Sequence, residues 1–256
     1  MLVMSAYFNV NRSRIICWAF SVLCLSFCFS GNSFGIDDLG QNVHHRMIVL
    51  DPGHGGHNTG AAGSENLLEK HVAMTFSRIL AKQLKNRYKV LLTRTDDYDV
   101  SLEDRLAKSN HARADLFISI HTGGSTLHNL GGLSIFYYEK PPLKGLSPEE
   151  SLSGSAIPER LEPWEYIKPI HIERSRYFAE LLKMQLHEDQ KDLKITINGV
   201  PLLIATGADT PTVLIEIGYI TNPGDAKSLN NTDILNSYAK NIAKAVDAFF
   251  SNKLHL

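Results

Sequence analysis

Cysteine is nearly absent from this chain of 256 residues: there are three, Cys17, Cys24 and Cys28, all within the first thirty positions. Beyond them no thiolate is available, which excludes a disulfide framework and any cysteine-based zinc site from the rest of the sequence. A charge excess of either sign is lacking too. With 26 Lys and Arg against 27 Asp and Glu the formal net charge is −1, so there is neither a basic surplus for nucleic acid nor an acidic tail. There is no Gly-x-x-x-x-Gly-Lys-Ser/Thr pattern to cradle a nucleotide and no His-Glu-x-x-His helix to hold a metal. No uninterrupted apolar run reaches the roughly 20 residues that a membrane-spanning helix needs. What remains is 43% apolar and 21% charged, an ordinary globular balance, at a length that suits one sizeable α/β domain.

The first segment reads differently from the rest. Arg12 and Arg14 precede an apolar stretch from Ile15 to Phe29, the pattern of a secretory signal peptide. As a helix this stretch is roughly 22 Å long, short of the roughly 30 Å hydrocarbon core of a bilayer. Small residues at Ser33 and Gly35 suit cleavage before Ile36, so residues 1–35 are assigned as the signal peptide. An uncleaved anchor and a lipoprotein modified at Cys28 are the alternatives; Phe27 stands where the latter wants a small residue. Removing the segment takes two arginines and no acids, leaving 24 basic against 27 acidic residues, net −3, and no cysteine. The mature chain is expected outside the cytoplasm, in the periplasm or cell envelope, with no stable membrane span after cleavage.

Along residues 36–256, short apolar runs alternate with helical patterns. Met47–Leu50, Lys89–Thr93, Leu116–Ile120 and Gly132–Tyr138 read as strands. Further strands are expected near Leu202–Ala205 and Val213–Ile217. Val72, Phe76, Ile79, Leu80 and Leu84 fall at helical spacing between Leu68 and Arg87. Ser101 with Asp104 three residues on caps a helix to about His111. Two more helices are expected at Ile172–His187 and Ile234–Phe250, with a short one opened by Pro223. This alternation predicts a single α/β domain with a mostly parallel central sheet covered by helices on both faces. Between about 139 and 171 the pattern stops. Six of the ten prolines fall there, and the stretch reads as an irregular insertion.

In parallel sheets ligands bind beyond the carboxyl ends of strands, which draws attention to His54 after the first strand, His121 closing the third, and Glu216 near the end of the run at 213–217. Glu69 lies in the first turn of the first helix, close to the His54 loop. Two histidines and a carboxylate make a catalytic zinc set without cysteine, and a further glutamate supplies a base. Spacing alone does not choose among eleven histidines.

The residues themselves carry a resemblance. Ile48-Val49-Leu50-Asp51-Pro52-Gly53-His54-Gly55-Gly56, then Gly60-Ala61-Ala62-Gly63, resembles the opening motif of zinc-dependent N-acetylmuramoyl-L-alanine amidases of the amidase-3 type. Leu68-Glu69-Lys70-His71-Val72 is similar to the family's second ligand motif and Ser119-Ile120-His121 to its third. Leu91–Asp96 and Ser101–Arg105 match its structural segment, and Val213–Pro223 matches its C-terminal catalytic motif. The similarity runs from about 47 to 250, five motifs in the family's order. It implies one zinc ion per chain held by His54, Glu69 and His121, with Glu216 as the catalytic carboxylate. It also implies peptidoglycan as substrate, cut between N-acetylmuramic acid and the L-alanine of the stem peptide. Cell-division members carry an inserted segment that covers the active site until a protein activator displaces it. The 139–171 stretch, with Glu149, Glu150, Glu159, Glu162 and Glu165, is comparable. Where the family continues its third motif with Ala-Asn, this chain has Thr122-Gly123-Gly124; an asparagine side chain is lost and a more flexible loop is expected.

Neighbouring residues compete for some roles. His71 is two positions past Glu69 and, on a helix, points elsewhere. Glu65 shares a face with Glu69 only if the helix begins early. His57 reads as a solvated loop residue or an entrance residue, and Asp51 as an orienter of a ligand imidazole or a turn residue. A different enzyme class is suggested by Ser237-Tyr238-Ala239-Lys240, a Ser-x-x-Lys motif of penicillin-sensitive peptidases, with Ser64-Glu65-Asn66 and His121-Thr122-Gly123 as weak companions in the wrong chain order. Non-catalytic peptidoglycan binding is the third reading.

Overall fold

The computed structural model of the protein describes residues 46–126, 130–140 and 169–251. The segment expected to be a signal peptide, 1–35, and most of the expected insertion lie outside these residues. Six strands, β1 (Met47–Pro52), β2 (Lys89–Leu92), β3 (Leu116–Gly123), β4 (Leu133–Tyr138), β5 (Ile195–Val200) and β6 (Thr212–Tyr219), form one sheet in the order β2-β1-β3-β6-β4-β5. Every pair is parallel except β4 with β6. The helices are α1 (Glu69–Leu84), α2 (Leu102–His111), α3 (Pro169–Asp189), α4 (Pro223–Leu229) and α5 (Thr232–Ser251). None of them is long and apolar enough to cross a membrane.

Alternation along each strand divides the sheet into two unequal faces. Ile48 and Leu50, Leu116, Ile118 and Ile120, Leu133 and Ile135, and Val213, Ile215 and Ile217 point to one side. There they meet Val72, Phe76 and Leu80 of α1, Phe178 and Leu182 of α3, and Ile242, Val246 and Phe249 of α5 in one continuous core. The opposite face carries a smaller cluster of Val49, Phe117 and Ile204, flanked by Leu102 and Leu106 of α2 and by Leu214. Both faces are therefore covered, one by three helices and the other by α2 and a short 3-10 turn.

That turn corrects a sequence expectation. Leu203–Ala205 is not a strand but a single 3-10 turn, with Leu203 71% exposed. The strand lies earlier, at Ile195–Val200. Its Asn198-Gly199 pair looks like turn punctuation, yet Ile195 and Ile197 alternate with Thr196 and Asn198 at the period of a half-buried strand. The apolar run after Pro201 has no such alternation. Helix α3 starts at Pro169, three residues before the expected point, so the tail of the 139–171 stretch is its first turn.

Local signals explain the other boundaries. Asn222 caps α4 by accepting from the amides of Gly224 and Asp225, with Pro223 at the first turn. Ser101 caps α2: its hydroxyl accepts from the Asp104 amide at 3.0 Å and donates to the Asp104 carboxylate at 2.9 Å. This cap fixes the start of the helix that carries Arg105 toward the end of β1. Ser101→Ala is expected to lower the unfolding free energy by about 1 kcal/mol, measured as a shift in the chemical denaturation midpoint at unchanged slope.

Candidate metal centre

The carboxyl ends of β1 and β3 lie side by side, with the Gly53 amide donating to the Ile120 carbonyl at 2.9 Å. This pairing brings His54, on the loop after β1, beside His121, near the end of β3; their rings meet edge-on with centroids 4.9 Å apart. Glu69, in the first turn of α1 and 4% exposed, enters between them. One of its oxygens, Oε1, lies 3.0 Å from His54 Nε2 and 2.9 Å from His121 Nδ1. Donor atoms from all three residues fall within 4.8 Å of one another, a grouping able to hold a metal ion.

The surrounding bonds fix what each donor offers. His54 Nδ1 donates to Asn58 Oδ1 at 2.9 Å, and the same oxygen accepts from the Gly60 amide at 3.2 Å. A proton kept on Nδ1 by Asn58 leaves the Nε2 lone pair available when a cation takes the place of the hydrogen bond between Nε2 and the Glu69 carboxylate. Glu69 Oε2 accepts from the Ala61 amide at 2.7 Å and Oε1 from the Thr122 amide at 3.1 Å. Burial works against the charged carboxylate, but hydrogen bonds from His121, His54 and the Ala61 amide outweigh it and hold the Glu69 pKa far below the ordinary range. The hydrogen bond to Glu69 in turn raises the His54 pKa against its own burial. Imidazole nitrogens and a carboxylate oxygen grouped at one point are the donor chemistry of a divalent cation, and two imidazoles with one carboxylate suit zinc. The residues present therefore fit the metal that the sequence implies.

Two buried guanidiniums hold this loop in place. Arg94, fully buried, donates to the carbonyls of Pro52 (2.9 Å), Gly53 (2.8 Å) and Lys70 (2.9 Å). Arg105 donates to Asp51 Oδ1 (2.6 Å), the Pro52 carbonyl (2.8 Å) and the His54 carbonyl (2.8 Å). Asp51 also accepts from Thr93 and from Ser119 Oγ. It is thus the counter-ion of Arg105 and not an orienter of either imidazole. The grip sustains a strained backbone: His54 has φ of 57°, a conformation costing an L-residue roughly 1–2 kcal/mol. Gly60, also at positive φ (66°), has no room for a side chain. A Cβ there would stand 2.5 Å from Glu69 Oε2 and 2.6 Å from the His54 ring.

Glu216 lies on β6 directly across from His121 in the β3–β6 register, on the same face, and outside the three-residue cluster. Burial raises its pKa and the nearby Glu69 adds to this, against the opposing pull of His121. It makes no side-chain hydrogen bond among the described residues.

The competing residues separate clearly. His71 is exposed and points to Asp97, 3.8 Å away. His57 is an exposed loop residue. Glu65 sits in a 3-10 turn at Ser64–Asn66, ahead of a helix that begins at Glu69, so it is not one helical turn before that residue. Ser237 is on α5, where Gln190 Nε2 donates to its hydroxyl at 3.5 Å. Helix α5 packs on the face opposite to the His121 and Glu216 side chains, so the Ser-x-x-Lys motif and its companions do not converge. Thr122 and Gly123, expected in a loop, belong to β3, with an irregularity of register between His121 and Gly123. The Tyr219 ring lies against Gly123 so closely that a Cβ there would stand 2.8 Å from it. Asn58, Gly60, Arg94 and Arg105 are positioning residues that the sequence reading missed as such; only the motif stretches containing the last three marked them at all.

The Amidase_3 family, described as N-acetylmuramoyl-L-alanine amidase, matches residues 48–248. The chain belongs to this family. It is 27% identical over 222 residues to the N-acetylmuramoyl-L-alanine amidase AmiC of Escherichia coli, covering 80% of this chain and 53% of that protein. With AmiA of Salmonella typhimurium it shares 29% over 220 residues, 80% of this chain and 76% of the relative. The chain thus spans about half of AmiC and three-quarters of AmiA. Among solved structures, the amidase AmiC2 of Nostoc punctiforme superposes with a TM-score of 0.64 at 23% identity, covering 81% of this chain and 98% of that one, a likeness of fold.

Within the Amidase_3 site, Asn58 is the residue whose loss is most cleanly read. Asn58→Ala removes the acceptor that sets the His54 tautomer and is expected to weaken binding of a divalent metal ion about 10–100-fold while leaving the fold intact. Competition with a chromophoric chelator measures the first, circular dichroism the second.

Proposed function

We propose that this chain is a zinc-dependent N-acetylmuramoyl-L-alanine amidase that cleaves peptidoglycan between the lactoyl group of N-acetylmuramic acid and the stem-peptide L-alanine. The observation that carries this reading is Glu69 Oε1 standing 3.0 and 2.9 Å from nitrogens of His54 and His121, with a second, separate carboxylate, Glu216, in register with His121. In this reading His54, Glu69 and His121 hold one zinc ion. A zinc ion bound there supplies Lewis acidity for the amide carbonyl and lowers the pKa of water to about 7.

The chain's own residues do the rest. Glu216, its pKa raised chiefly by burial, takes the proton of the attacking water and returns it to the leaving amine. Asn58 fixes the tautomer of His54. Arg94 and Arg105 keep the loop from moving away as charge develops. Two carboxylates that differ in this way, one forced to stay ionised and one eased toward protonation, divide the labour between holding the cation and moving the proton.

Residues 1–35 are read as the export signal, which places the enzyme in the periplasm or cell envelope, where its substrate is. The 139–171 stretch is read as a cover on the site that a protein activator displaces. Its support is its place in the chain directly after β4, the strand that pairs with the strand of Glu216, and its six glutamates.

Mass analysis of muropeptide digests tests the activity: free stem peptides starting at L-alanine should accumulate with zinc and disappear with chelator. Glu216→Gln is expected to keep stoichiometric zinc while losing roughly 100–10,000-fold in kcat. His54→Ala should lose the zinc itself; a full complement of metal in that variant removes its ligand role. Deletion of residues 141–168 is expected to raise basal hydrolysis, and a fall or no change argues against the cover.

A further inference from the structure

The strand registers place four polar side chains in one straight row across the sheet. His121 on β3 is opposite Glu216 on β6, Glu216 is opposite Ser134 on β4, and Ser134 is opposite Thr196 on the edge strand β5. Their strand neighbours Ile120, Ile215, Ile135 and Ile197 all face the large core, so these four side chains share the other face. At about 4.8 Å per strand the row is roughly 14 Å long, of which roughly 10 Å lies beyond Glu216. The small apolar cluster on this face includes no residue of β4 or β5 among the described residues.

The outer part of the row is already bonded internally, in one direction. Asn198 Nδ2 donates to Thr196 Oγ1 at 3.3 Å, and the Thr196 hydroxyl donates to Ser134 Oγ at 3.1 Å. Each acceptor is thus occupied from the edge inward, and the proton of Ser134 is left to donate toward whatever lies next to Glu216. Three neutral groups with both donor and acceptor capacity are suited to the amides of an extended peptide, and roughly 10 Å is the length of about three extended residues.

We infer that the partly exposed Thr196 and Asn198, backed by the buried Ser134, form the binding strip for the stem peptide. The inference rests on the amidase reading above, because the side of the site is chosen by chemistry: the group that returns a proton to the leaving amine must stand next to the leaving group. Glu216 is that group, the leaving group is the stem peptide, and the row continues past Glu216 away from His121. The glycan strand therefore lies on the other side of the metal centre.

The test uses the zinc-loaded full chain and muramyl substrates whose stems are one, two or four residues long. In the wild type, kcat/KM is expected to rise with stem length, and a value independent of stem length overturns the assignment. In Thr196→Val and Asn198→Ala the ratio of kcat/KM for the four-residue stem to that for single alanine is expected to fall about tenfold, equivalent to about 1.4 kcal/mol, with the loss in KM. Thr196→Ser, which keeps the hydroxyl, should retain the ratio. An equal fall for all stems, or a loss that follows glycan length instead, overturns the assignment. A second measurement needs no turnover: calorimetric titration of a free four-residue stem peptide should show binding that Asn198→Ala weakens about tenfold. Peptide binding of this kind without wild-type cleavage overturns the amidase reading and leaves the strip standing. Cleavage with unaltered binding and an unaltered stem-length ratio overturns the strip alone.

Discussion

The architecture of the site depends on two guanidiniums buried under the end of β1. Arg94 and Arg105 spend most of their donors on backbone carbonyls, those of Pro52, Gly53, His54 and Lys70 among them. Burial and the neighbouring Arg105 both press the Arg94 pKa below its ordinary value, so the pair is held together against its own repulsion. Asp51 offsets part of that charge from within the sheet, 2.6 Å from Arg105. An arrangement of this kind is a poor source of stability, since desolvating charges costs about as much as pairing them returns. Its effect is geometric. The carbonyls it holds are those of the turn that forces His54 into positive φ, and without that turn the imidazole would not point back at Glu69.

From this constraint the candidate cation site follows almost without further choice. The Lys70 carbonyl ties the first turn of α1 to Arg94, so the same guanidinium fixes both the loop that carries His54 and the helix that carries Glu69. β3 is fixed to β1 by the sheet itself, which delivers His121. Three donors from three elements meet because each element is tied to the end of β1, two by Arg94 and one by the strand ladder. For a cation held there the consequence is preorganisation: the described elements that carry the three donors are already tied to one another.

How much of this was legible in the sequence depends on whether a residue's role is local or relational. The capped start of α2 and the Asn-Pro start of α4 are local patterns, and they were readable from residue order alone. His54, Glu69, His121 and Glu216 were singled out by position after strands and, decisively, by family motifs, because spacing cannot distinguish one loop histidine from another. Asn58 and Gly60 were not legible as positioning residues. Their importance comes from touching side chains contributed by other elements, which no one-dimensional pattern encodes. The same reason explains Gly123: as a sequence feature it suggested looseness, whereas in the sheet it is the bare backbone on which the Tyr219 ring rests.

The missed strand has a further meaning. Looking for function just beyond the carboxyl ends of strands finds His54, His121 and Glu216, because β1, β3 and β6 run in one direction. β4 runs against β6, and β5 runs with β4. On those two strands the residues nearest the same edge of the sheet are therefore at the beginning: Ser134 is the second residue of β4 and Thr196 the second of β5. A search by strand ends passes over both, and misplacing β5 at Leu202–Ala205 hides one of them altogether. Reversing a single strand pair thus turns the amino-terminal halves of β4 and β5 into a continuation of the site floor. The strip proposed for the leaving group is then encoded where the parallel-sheet rule does not look.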